Sequence, residues 1–182
     1  MLNLKTIGLI FLTTLSISES SRPVSHVHLG ITSDPTIMNV QWTSAQGDCL
    51  GDCSSVLQYG TTYYPLDTTV TGYNWTWIDP ECGRQYSFNM GTLTNLVPGQ
   101  QYYYRVGNPL DGWSAINHFY ATRTGDQITT EAPLKLGWFG DLGWFNAQAL
   151  PYLQDEAASH NLDYVIHVGD YAYDMVEQNG TV

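Results

Sequence analysis

The chain has 182 residues, with 6 Lys+Arg against 17 Asp+Glu and a formal net charge of −11. Six scattered basic residues cannot build the positive stripe that nucleic acid requires, nor a polybasic membrane anchor. Hydrophobic residues reach 43% and aromatic ones 13%, which supplies the buried area that a disordered chain lacks.

At the N-terminus a basic start (Met1-Leu2-Asn3-Leu4-Lys5) precedes an apolar run from Ile7 to Ile17 and the small residues Ser16, Ser18 and Ser20. That order predicts a secretory signal peptide over residues 1–20, because the run is shorter than the ~20 residues of a membrane span. A secreted or lysosomal protein without a membrane span follows. In that compartment Asn74-Trp75-Thr76 and Asn179-Gly180-Thr181 make Asn74 and Asn179 glycosylation acceptors. Cys49, Cys53 and Cys82 allow one disulfide and leave one cysteine over. The odd count leaves an intermolecular disulfide, a free thiol and a partner chain open, and with them the oligomeric state.

Residues 22–124 have an all-β texture. The stretch Ile37-Met38-Asn39-Val40-Gln41-Trp42 alternates, and Val56-Leu57-Gln58-Tyr59 is closed by Gly60. Tyr102, Tyr104 and Val106 share one strand face, with Tyr103 and Arg105 on the other. Short strands separated by turn residues predict a β-sandwich. His26, His28 and His118 fall on these stretches and read as surface or hydrogen-bonded histidines. Residues 125–133 are polar and irregular and read as a linker.

The texture changes over residues 134–182. The apolar run Leu134–Phe139, bounded by Gly140, predicts a buried parallel strand. A helix is predicted from Asn146, its N-cap, to about Ser159, with Leu150, Leu153, Ala157 and Ala158 on one side and Pro151 near the first turn. A second apolar run, Tyr164–Val168, completes a βαβ unit.

Both runs end in Gly-Asp, at Gly140-Asp141 and Gly169-Asp170. Parallel strands bring both ends to one sheet edge, where open α/β sheets hold their sites. Two carboxylates there repel, and a hard cation between them removes that cost. Tyr173 follows Asp170 on the same loop, and a phenolate is a ligand for ferric iron. Asp141, Asp170 and Tyr173 are therefore the candidate metal ligands.

Two resemblances sharpen this reading. Leu96-Val97-Pro98-Gly99-Gln100-Gln101-Tyr102-Tyr103-Tyr104-Arg105-Val106 resembles a late segment of fibronectin type III domains. That likeness implies a turn at Pro98-Gly99, a "tyrosine corner" at Tyr102 bonded to upstream backbone, and a buried core tryptophan at Trp42. Phe139-Gly140-Asp141-Leu142-Gly143 and His167-Val168-Gly169-Asp170-Tyr171-Ala172-Tyr173-Asp174 resemble the first two metallophosphoesterase motifs of purple acid phosphatases. Ala149-Leu150-Pro151 is similar too, and the likeness is strongest to the animal-type enzymes, which carry an N-terminal fibronectin-like domain.

The family resemblance implies a fibronectin type III-like β-sandwich over 22–124, followed by the first βαβ unit of an αββα metallophosphoesterase sandwich over 134–182. It implies hydrolysis of phosphate monoesters at acidic pH by ferric iron paired with a divalent metal (iron, zinc or manganese). In the roles it carries over, Asp141 binds the ferric ion, Asp170 bridges both metals, and Tyr173 binds iron. The family's Gly-Asn-His-Glu segment and its later histidine ligands, including a Gly-His-x-His pair, do not occur in this sequence. His160, at a helix end, and His167, within a strand, do not stand in for them. No catalytic residue is assigned. The expectation is an N-terminal fragment of an acid phosphatase, catalytically incomplete by itself. The alternative is a truncated secreted β-sandwich that acts as a binding or decoy module without catalysis.

Overall fold

Alternating side chains build the first part of the chain. The structure, a computed structural model, describes residues 24–45, 54–78, 80, 83, 85–143 and 147–173. The predicted signal peptide, Cys49, Cys53, Cys82, Asn146 and Asn179 lie outside the described residues. In chain order the strands are β1 (Val24–Ile31), β2 (Met38–Ala45), β3 (Val56–Gly60), β4 (Thr68–Thr71), β5 (Tyr73–Ile78), β6 (Gln85–Leu93), β7 (Gln101–Asn108), β8 (Gly112–Trp113) and β9 (Asn117–Tyr120). One antiparallel sheet has the order β1-β2-β6-β5. The other has the order β4-β3-β7-β8, with β9 also paired to β7.

The two sheets bury their facing rows. Met38, Val40 and Trp42 of β2 meet Leu57 and Tyr59 of β3 and Tyr102, Tyr104 and Val106 of β7 in one core. Trp42 is 3% exposed, and Leu57, Val40, Leu93 and Val106 are fully buried. The alternation read from the sequence of β7 holds, with Tyr103 and Arg105 on the outer face, where Arg105 lies 4.3 Å over the Trp113 ring. Gly91 on β6 has no side chain because the sheets approach closely there: an added Cβ would lie 3.1 Å from Leu57.

Pro98-Gly99 makes the turn into β7. Gln100 N donates to Val97 O at 3.0 Å, and Gly99 has φ +78°. Proline presets φ at the first central position of such a turn, and glycine supplies the positive φ at the second. The Tyr102 hydroxyl then accepts from Val97 N at 3.0 Å, which is the corner that the fibronectin likeness implied. At the opposite end, buried Asn89 ties the sheets together: its Oδ1 accepts from Ser55 Oγ at 2.7 Å, and its Nδ2 donates to Ser44 Oγ and Ser87 O at 3.0 Å.

Past the sandwich, a short 3-10 turn (Gly125–Gln127) is tied back by Gln127 Nε2 donating to Pro98 O at 3.2 Å. Arg123 is the main fastening. Its Nη1 donates to Ala132 O at 2.9 Å, while its Nη2 donates to Pro133 O at 3.0 Å and pairs with Asp163 at 3.2 Å. Asp163 in turn accepts from Lys135 N at 2.8 Å. The segment read as a linker is thus pinned at both ends.

The second unit contains β10 (Leu136–Phe139), β11 (Leu142–Gly143), α1 (Leu150–Ala158), β12 (Tyr164–His167) and β13 (Tyr171–Tyr173). β10 and β12 pair in parallel, as predicted. Two expectations are corrected. The helix starts at Leu150, not near Asn146, and Pro151 occupies its first turn. A helix begun at Asn146 would place that proline inside, where its ring clashes and an N–H is lost. The parallel strands are also not buried. Of β10, Gly137 is buried, beneath Leu153 and Leu162, while Trp138 is 70% exposed. One helix covers one face of a two-stranded ladder and leaves the other open.

Tyr102→Phe keeps the ring and removes the acceptor for Val97 N. It should cost about 1–2 kcal/mol in denaturant unfolding followed by tryptophan fluorescence. Burial pushes the Tyr104 phenol up to about 12. Raised above its unfolded value near ~10, it contributes stability that is fully present below that pH and is lost as pH climbs toward the folded value. Stability should therefore fall above pH ~10, and Tyr104→Phe should flatten that fall in an alkaline unfolding series.

Candidate metal centre

The register of the parallel strands decides the geometry. Phe139 pairs with His167, and beyond the ladder Val168 N donates to Phe139 O at 2.7 Å. A second short parallel pairing follows, between β11 and β13, in which Leu142 faces Tyr171 and Gly143 faces Tyr173. Asp141 and Asp170 are the residues just before Leu142 and Tyr171. Both lie in the gap between the two ladders.

Two glycines make that meeting sterically feasible. At Gly140 an added Cβ would overlap the Val168 carbonyl, so only glycine fits beside that crossing strand. At Gly169, φ is +93°, and an added Cβ would lie 3.5 Å from Asp141 Oδ1 and 3.6 Å from Oδ2. The Asp141 carboxylate therefore rests over the Gly169 backbone. Asp141 itself has φ +52°, a left-handed conformation that aspartate tolerates better than most residues and that tends to occur at functional sites. Both aspartates are exposed, and beneath them the Phe139 and His167 rings stack at 4.7 Å.

The structure thus brings Asp141 together with the Gly169-Asp170 turn. Tyr173 is placed by its backbone, in register with Gly143, and its side chain lies outside the described residues. Carboxylate side chains carried at two neighbouring strand ends are of the donor type that a hard, Lewis-acidic cation prefers. Among the described residues, no group of three His, Cys, Asp or Glu side chains suits a metal. A cavity of about 30 Å³ lies elsewhere, at the Asn89 end of the sandwich beside Asn74, Asn108 and Asp111, with room for about one water and none for a phosphoester.

Of the predicted glycosylation sites, Asn74 lies on the edge strand β5, and its Nδ2 donates to Ser55 Oγ at 3.2 Å. One juxtaposition had no signal in the sequence. His118 of β9 and His160, just past α1, approach with Nε2 atoms 3.3 Å apart, although 42 positions separate them.

A two-sheet β-sandwich followed by a parallel ladder with paired Gly-Asp ends is the class of protein that this structure defines. Residues 24–121 match the family model of the purple acid phosphatase N-terminal domain. Acid phosphatase type 7 of Mus musculus is 33% identical over 158 residues, a stretch longer than the sandwich, covering 86% of this chain and 34% of the relative. Acid phosphatase type 7 of Homo sapiens is 32% identical over 169 residues, 92% of this chain and 36% of the relative. Purple acid phosphatase PPD1 from yellow lupin (Lupinus luteus) seeds superposes with a TM-score of 0.61 at 20% identity, over 87% of this chain and 31% of that one, a likeness of fold. The chain belongs to the purple acid phosphatase family, and it spans about a third of the length of the curated relatives it matches. Among the described residues no helix is long and apolar enough to cross a membrane.

Gly140→Ala should force β10 and β12 apart. Hydrogen exchange at the Val168 amide should rise about tenfold or more, which corresponds to a local loss within the ~1–3 kcal/mol cost of overpacking.

Proposed function

We propose that this chain supplies the first half of a dinuclear metal centre in a phosphate monoester hydrolase of the secretory pathway. The observation that carries the reading is the juxtaposition of Asp141 with the Gly169-Asp170 turn. By the motif resemblance, Asp141 would be a ferric ligand, Asp170 a ligand to both ferric iron and a divalent iron, zinc or manganese, and Tyr173 a phenolate ligand of the iron. When bound, such a metal pair supplies a water made acidic enough to attack and a clamp for the phosphoryl oxygens. The chain's own residues hold the two carboxylates in place and leave that edge open to solvent. Gly140 and Gly169 serve the same end, the first by admitting the Val168 carbonyl where a side chain would collide, the second by taking a φ of +93° beside the Asp141 carboxylate.

We infer a signal peptide over 1–20 from the sequence, and with it the sandwich over 22–124, the linker over 125–133 and the start of the catalytic domain from 134. The 24–121 match supports the extent of the sandwich, and the pairing of β10 with β12 supports a separate α/β unit after it. Secretion also makes Asn74 a modification site. Because Ser55 engages its nitrogen in the folded sandwich, glycan transfer would precede closure of the two sheets. The reading as a binding module without catalysis draws on one observation. Tyr73, Trp75 and Trp77 form an exposed row on β5, with Trp75 and Trp77 against Phe88 and Tyr86 of β6.

Purified chain assayed on p-nitrophenyl phosphate with added iron and zinc should show little turnover, since the Asn-His and later histidine motifs are absent from its sequence. With ferric iron it should develop a visible tyrosinate-to-iron band, abolished in Tyr173→Phe and weakened in Asp141→Asn. Robust metal-dependent turnover would overturn the claim of incompleteness. Absence of the band would leave the binding module as the better reading.

A further inference from the structure

His118 and His160 belong to different units. His118 lies on β9 at the outer edge of the sandwich, and His160 follows α1 with φ +56°. Both side chains are exposed, and their ring centroids are 5.1 Å apart. Aromatic neighbours orient each ring: Tyr103 lies 6.0 Å from His118, and Tyr120 meets His160 edge-on at 5.8 Å. The nearby Arg123–Asp163 pair fixes the same junction.

The Nε2···Nε2 separation of 3.3 Å lies at the long end of the hydrogen-bond range. It matches the edge of a tetrahedron around zinc, where Zn–N bonds of ~2.0–2.1 Å put two nitrogens ~3.3–3.4 Å apart. We propose that His118 and His160 form a two-histidine site for a borderline divalent cation of the zinc type, which clasps the sandwich to the α/β unit. Imidazole nitrogens suit zinc, copper or nickel, and exposure leaves the remaining positions to water. The site shares no residue with Asp141, Asp170 or Tyr173, so it stands apart from the phosphatase reading.

The test uses the full chain carrying Asp141→Asn and Asp170→Asn, which removes the carboxylate pair, with zinc titrated by calorimetry at neutral pH. The expected result is binding at one equivalent with a raised Tm. His118→Ala or His160→Asn should each weaken it about tenfold or more, at least what losing an outer-shell partner costs. Asparagine tolerates the left-handed backbone at 160. The two substitutions together should add little to either alone, because the ligands act as a unit. Unchanged zinc affinity in either single variant would overturn the proposal. A second readout needs no histidine variant: zinc should shift the ring proton resonances of His118 and His160 together, and a shift of one without the other would overturn it as well.

Discussion

The parallel pairing of β10 with β12 is the constraint on which the candidate site rests. Each strand alone ends in an ordinary Gly-Asp turn. Paired in parallel, with Phe139 against His167, the two turns meet, and the second ladder from Leu142 to Tyr171 keeps them facing. A side chain is excluded at Gly140 by the Val168 carbonyl and disfavoured at Gly169 by its φ of +93°. Backbone pairing thus brings Asp141 against the Gly169-Asp170 turn, and a cation bound between two carboxylates there would remove any repulsion between them.

That unit does not stand by itself. Two short two-stranded ladders and one helix bury little, and Trp138, Val165 and Val168 remain open to solvent. Its order is tied to the sandwich through Arg123, which binds the carbonyls of Ala132 and Pro133 and the carboxylate of Asp163. An exposed ion pair alone contributes little. Here the guanidinium also satisfies two backbone carbonyls, so the fastening is geometric as well as electrostatic. The sandwich can act as an anchor because its own core is closed by both sheets and its β7 entry is locked by the Tyr102 corner.

The sandwich was legible in the sequence because its signals are local. Alternation fixed the inward row of β7, and Pro98-Gly99 fixed the turn before it, since each residue's allowed φ is a property of that residue. The Gly-Asp ends were legible for the same reason. The start of α1 is set by Pro151 and not by the asparagine signal, because the proline's steric clash is the stricter limit. The exposure of β10 has no local signal, because an apolar run shows what a strand can bury and not what lies against it.

The sequence by itself determined the elements, the type of each turn, and the residue types able to bind a metal, because these follow from individual side chains and their near neighbours. Only the tertiary structure decided which of those residues meet. Asp141 faces the Gly169-Asp170 turn through strand register, and His118 reaches His160 because the Arg123 junction folds the unit of α1 back against β9. Such contacts depend on the relative placement of whole elements, to which no single stretch of sequence gives a local signal.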